Sequence, residues 1–155
     1  MSDKTVLVAG IGSPHGDDQA GWLVVDMMST TRTADFVRLK KAHQPLDFLD
    51  WLPDTDALHI IDACRLPVPA DVIYRWRWPE GPWTRGTTVS SHGWSLVSAL
   101  DLASKLGLTP QRVSIWGVPG KQFRADSPPS DEVVFRARYC AMRVTREITK
   151  SLEVC

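Results

Sequence analysis

Neither sign of charge is in excess in this chain: 18 lysines and arginines stand against 18 aspartates and glutamates. That balance removes the electrostatic reason to expect nucleic acid or an anionic membrane as a partner. No apolar run approaches the roughly 20 residues that a membrane-spanning helix requires. The opening stretch MSDKTVLVAGIG lacks the layout of a signal peptide, because its apolar run is short and no small-residue cleavage site follows. Cysteine is sparse: Cys64, Cys140 and Cys155 are odd in number, widely spaced, and form no CxxC or zinc-type cluster. These absences lead us to expect a protein of the reducing cytoplasm. Internal repeats, low-complexity tracts and linkers are also absent, and 155 residues suit one ordinary domain spanning 1–155.

What is present is an alternation of strand-like and helix-like segments. Thr5–Ala9 is a short apolar run ending in Gly10 and Gly12, the pattern of a buried strand. Gln19–Ser29 has helical spacing, with Ala20, Leu23, Val24, Met27 and Met28 on one face. Phe36–Leu39 and Ala57–Ile61 read as strands, and Pro45–Leu52 as a short helix whose proline suits a first turn. Val72–Trp78 alternates, with Val72, Tyr74, Trp76 and Trp78 on one side and Ile73, Arg75 and Arg77 on the other, which predicts an edge strand with one wet face. Ser95–Leu106 reads as a helix stopped by Gly107, Arg112–Val118 as a fifth strand, and about 131–151 as a terminal helix capped by Ser130. Strands alternating with helices predict an α/β fold with a largely parallel sheet covered on both faces. Ligands of such sheets gather beyond the carboxyl ends of the strands. Asp18 follows the first strand, Asp62 ends the third, and His92 opens the helix after the fourth, so one rim is able to collect all three.

Each of these residues also has an ordinary explanation. The loop Gly10–Gly21 resembles a dinucleotide fingerprint, but His15 stands where the third glycine belongs, and Asp17 and Asp18 would face a pyrophosphate. An aspartate before a helix caps exposed amides, which accounts for one member of the pair but less easily for both. Asp62, directly after a buried strand, needs solvation, hydrogen bonds or a cation. Its neighbour Cys64 has no paired base nearby and reads as a small buried group. His92 in a first helical turn is poorly placed as a cation, whereas a neutral imidazole there is a good metal ligand. A serine triad lacks support, since no GxSxG elbow is present and Ser13 lies on the wrong kind of loop.

Taken together, the segments resemble the hydrogenase maturation protease family. The matches are Gly10-Ile-Gly12 with Gly16-Asp-Asp18 and Gly21, similar to GxGNxLxxDDGxG; His43-Gln-Pro-Leu46; Ile60-Ile-Asp-Ala63; Ser90-Ser-His-Gly93 before an apolar helix; and Val113–Gly117 leading to a loop and final helix. They occur in the expected order along essentially the whole chain. Ser13 replaces the asparagine, the loop is one residue shorter, and Gln19 stands where the pattern has glycine after the acidic pair. The resemblance implies a three-layer α/β/α sandwich of the phosphorylase/hydrolase-like kind, with a mostly parallel five-stranded sheet. It implies an endopeptidase that removes the C-terminal extension of a nickel-loaded [NiFe] hydrogenase large-subunit precursor, with no nucleic acid or membrane partner and a monomeric state. Nickel, arriving with the substrate and replaceable by cadmium or zinc in a crystal, would be held by Asp18, Asp62 and His92. Asp18, Asp62 and Asp17 are the candidate catalytic residues; the shortened loop leaves Asp17 a rival to Asp18. Trp76, Trp78 and Trp83, with Arg75 and Arg77, are a candidate contact for the extension, against ordinary edge-strand packing. A checkpoint or chaperone that binds a metallated partner without cutting it is the competing class.

Overall fold

The buried apolar runs become the strands of one sheet. The computed structural model describes residues 5–31, 33–65, 72–82 and 93–153. Among them are strands β1 (Val6–Ile11), β2 (Val37–Ala42), β3 (Ala57–Cys64), β4 (Tyr74–Arg77) and β5 (Arg112–Pro119), and helices α1 (Ala20–Ser29), α2 (Gly93–Lys105) and α3 (Asp131–Glu153). Short 3-10 helices occupy Gly16–Gln19 and Pro45–Trp51. The strand order is β2-β1-β3-β5-β4, parallel throughout except for β4, which runs antiparallel to β5 at the edge. The predicted mostly parallel sheet is therefore observed.

Side chains alternate between two cores. Val6, Val8, Ile61, Ala63, Trp116 and Val118 pack against α1 and α3, through residues such as Val24, Met28, Ala137 and Val144. Leu7, Ala9, Ile11, Leu58, Ile60, Val113 and Ile115 pack against α2 and the Pro45–Trp51 helix, through Leu96, Leu100 and Phe48. Helices on both faces give the α/β/α layering that the alternation predicts.

Three local expectations shift. The strand expected to end at Ile61 continues to Cys64, so Asp62 is a strand residue paired with Gly117. The segment expected as a short helix at Pro45–Leu52 is a 3-10 helix, closed by a capping box between Gln44 and Asp47. The arginine face of the edge strand is wet only in part: Arg77 is exposed, whereas Arg75 is half-buried. Trp76 and Trp78 pack into the α2-side core, and on the opposite face Arg75 makes a two-pronged ion pair with Glu147 of α3, its Nε lying 3.0 Å from Oε2. The candidate tryptophan–arginine contact for the extension is thus split across the sheet, and Trp83 lies outside the described residues.

His59 is buried in β3, where its Nδ1 accepts a hydrogen bond from Trp116 Nε1 at 3.1 Å. Burial pushes its pKa down to about 4, with nearby Glu147 opposing and Arg75 assisting the shift. The folded protein thus holds His59 neutral at pH values where the unfolded chain protonates it. Stability is expected to fall as pH drops from about 6.5 towards 4, by about 3 kcal/mol from this residue. His59→Gln, which keeps an acceptor for the indole, should remove that part of the acid sensitivity. Urea melts of both proteins across this range check it, and identical pH profiles would count against the assignment.

Candidate functional site

β1, β3 and β5 end at the same rim, and the loops leaving them build the site. α1 is held unusually close to the sheet. A Cβ on Gly21 would lie 2.2 Å from the Ile11 carbonyl oxygen and 2.6 Å from that of Ile61, and one on Gly10 would lie 2.1 Å from the Gly21 carbonyl oxygen. Only glycine permits this backbone-to-backbone approach. The contact tucks the start of α1 against the residue preceding Asp62, and the Gly16–Gln19 turn carrying Asp17 and Asp18 also packs on β3.

The structure gives the two adjacent aspartates different work. Asp17 is fully buried. Its Oδ2 accepts from the backbone N–H of Lys121 (2.8 Å) and Gln122 (3.0 Å), and its Oδ1 from that of Ser130 (2.7 Å). Burial alone would raise its pKa. The bonds from Gln122, Ser130 and Lys121 outweigh burial and hold the carboxyl below its ordinary value. Further bonds join the same two loops: Gly16 N–H to Ser127 O, Asp17 N–H to Gln122 O, and Gln19 Nε2 to Ser127 O. Asp17 is the clasp between the loop after β1 and the loop before α3.

Asp18 is 7 % exposed. Its Oδ2 accepts a short hydrogen bond from Ser13 Oγ, while the Ser13 N–H donates to the Asp18 carbonyl at 3.3 Å. Its Oδ1 is buried and has no hydrogen-bond partner among the described residues. A buried carboxylate oxygen in that state is costly unless something binds it. Asp62 is 4 % exposed, and its Oδ1 accepts from the Ala63 N–H at 2.9 Å. By strand alternation it shares the sheet face of Leu58 and Ile60, the face covered by α2.

Asp18 and Asp62 therefore stand on neighbouring elements at one rim. His92 lies outside the described residues; α2 begins at the next position, Gly93. Among the described residues no group of three or more His, Cys, Asp or Glu side chains is placed to hold a metal ion. Sequence reasoning weighed Ser13 as a nucleophile and as a replacement for asparagine but missed its bond to Asp18, although a hydroxyl five residues before a carboxylate in a tight loop is within reach of it.

Parallel strands between two helical layers, with two buried aspartates at their carboxyl rim, define the class of protein: an open-sheet α/β protein, whose ligands gather at that rim. The particular fold is that of the hydrogenase maturation endopeptidases. The chain superimposes on the hydrogenase maturating endopeptidase HybD from Escherichia coli with a TM-score of 0.75 at 20 % identity, covering 92 % of this chain and 93 % of that one. It superimposes on the [NiFe] hydrogenase maturation protease HycI from Thermococcus kodakarensis with a TM-score of 0.73 at 19 % identity, covering 92 % and 91 %. No family model and no curated protein sequence matches the chain. No helix among the described residues is long and apolar enough to cross a membrane.

Proposed function

We propose that this chain is an endopeptidase of hydrogenase maturation. It removes the C-terminal extension from the large-subunit precursor of a [NiFe] hydrogenase once nickel has been inserted, acting as a monomer in the cytoplasm. The observation that carries this reading is Asp18 Oδ1, a buried carboxylate oxygen without a partner among the described residues, at the same rim as Asp62. The likeness in fold to solved maturation endopeptidases, over nine-tenths of the chain, supports it.

Nickel is part of the substrate here. Two carboxylates and an imidazole suit a borderline divalent ion such as nickel, and cadmium or zinc should take the same place in vitro. Three protein donors leave coordination positions open for water or the scissile carbonyl. Ser13 occupies Oδ2 of Asp18 and so leaves Oδ1 as the atom offered to the metal. Asp62 supplies the second carboxylate and His92 the imidazole. The attacking water is activated by the substrate's metal or by a carboxylate. Asp17 is unsuited to that task, because both of its oxygens already accept backbone N–H groups; a carboxylate route runs through Asp18.

Asp18→Ala and Asp62→Ala should each slow cleavage of the nickel-loaded precursor by about 100-fold or more, with melting temperatures near the parent's. Mass spectrometry of the precursor's C-terminus reads the result. Unimpaired processing by both variants would overturn the proposal. A parent protein that binds the loaded precursor but never shortens it would identify a checkpoint module instead.

A further inference from the structure

Across the sheet from Asp62, between β4–β5 and α3, lies a cavity of about 300 Å³ lined by Arg75, Trp116, Arg143, Arg146, Glu147 and Lys150. Four of these side chains are cationic and one is anionic, in a chain whose formal net charge is zero. The single carboxylate is already engaged by Arg75. Among the described residues Arg143, Arg146 and Lys150 have no carboxylate within ion-pair distance. The positive charge is not dispersed: from Val134 to Ser151, Glu147 is the one acidic residue, whereas Arg136, Arg138, Arg143, Arg146 and Lys150 are basic.

Arg143 links this cavity to a second feature. Its guanidinium lies over the Trp116 ring at 5.4 Å and near the Tyr139 ring at 5.8 Å. Stacking fixes the group without neutralising it, leaving its N–H edge able to receive an anion. Tyr139 in turn belongs to a stripe of exposed apolar side chains, Phe135, Tyr139 and Met142, at the i, i+4, i+7 spacing of one helix face. The buried face of α3 is a different set, Val133, Ala137, Cys140, Val144 and Ile148. The stripe is therefore surplus to the core.

We infer that this face of α3 is a docking surface for an acidic segment of a partner polypeptide, its carboxylates entering the Arg143–Arg146–Lys150 cavity and its apolar side chains lying along Phe135, Tyr139 and Met142. Charge complementarity selects the sign of the occupant. The adjoining aromatic stripe selects a polypeptide over a free anion, because a small ion would leave it uncovered. A concave cavity between sheet and helix suits a protruding side chain better than a flat lipid surface. The site is separate from the carboxylate rim and stands whether or not the rim cleaves peptides.

The test is fluorescence anisotropy of the full chain with a short fluorescein-labelled peptide of glutamates interspersed with leucines. The expected result is saturable binding that weakens as salt rises. Arg146→Glu with Lys150→Glu, two exposed positions that leave the fold intact by circular dichroism, should weaken binding about tenfold or more. Phe135→Ser should weaken it with little change in salt dependence. Unchanged affinity in the charge-reversed variant would overturn the inference. So would equal binding of a peptide with lysine in place of glutamate, or full displacement of the acidic peptide by inorganic phosphate, which would mark a simple anion site. Preferential binding to phosphatidylserine vesicles would assign the face to a membrane and overturn it too.

Discussion

Asp17→Ala should lower folding stability by about 3 to 5 kcal/mol, while Asp18→Ala, one residue along, should leave it within about 1 kcal/mol of the parent. Removal of the Asp17 carboxylate strips the Lys121, Gln122 and Ser130 amides of an ionised acceptor at once. Each orphaned donor costs on the order of 1 kcal/mol or more, and the void left by the side chain adds to that. Asp18 loses one hydroxyl bond and sheds an unpartnered buried oxygen, two effects of opposite sign. Urea denaturation at neutral pH measures both variants. Equal losses, or a larger loss for Asp18→Ala, would sink this division of labour. The pH sign follows from the same bonds. The folded-state pKa of Asp17 is below its ordinary value of 3.8, so its contribution is complete above that value and is lost as pH falls through the folded one.

Gly21→Ala should be comparably severe, at about 3 kcal/mol, and should also weaken the rim site. The added methyl meets the carbonyl oxygens of Ile11 and Ile61, which belong to two central strands and have nowhere to move. α1 must therefore back away from the sheet, drawing the Gly16–Gln19 turn and Asp18 with it. Gly107→Ala is the useful contrast. That residue has φ +69° but nothing within 4 Å of a built Cβ, so it should cost only the backbone strain of about 1 kcal/mol. Thermal melts of the two variants check the ordering, and a Gly21→Ala protein as stable as Gly107→Ala would refute the close-packing account.

The strand–helix rhythm was legible because buried parallel strands and amphipathic helices leave different periods in the sequence. β1, β3 and β5 and the two long helices α2 and α3 follow it closely. Strand direction at the edge was not legible, since β4 alternates in the same way whichever way it runs. The partial covering of the wet face escaped for a related reason: nothing near Arg75 announces Glu147, 72 residues away. Asp17 and Asp18 were indistinguishable in the sequence because what separates them is long-range. The partners of Asp17 lie more than 100 residues downstream, whereas the partner of Asp18 is five residues upstream. Asp62 stood out because a carboxylate closing an apolar run is conspicuous, although the strand itself continues through it to Cys64.

The clasp at Asp17 has a kinetic and entropic consequence for whatever docks at the rim. Two loops that leave the sheet at β1 and β5 are fastened to each other by at least six hydrogen bonds spanning residues 16–19 and 121–130. Neither can swing independently, so a partner arriving there meets a surface already settled into its binding shape. The entropy of ordering those loops is spent during folding rather than at each encounter, and association gains correspondingly in affinity and speed.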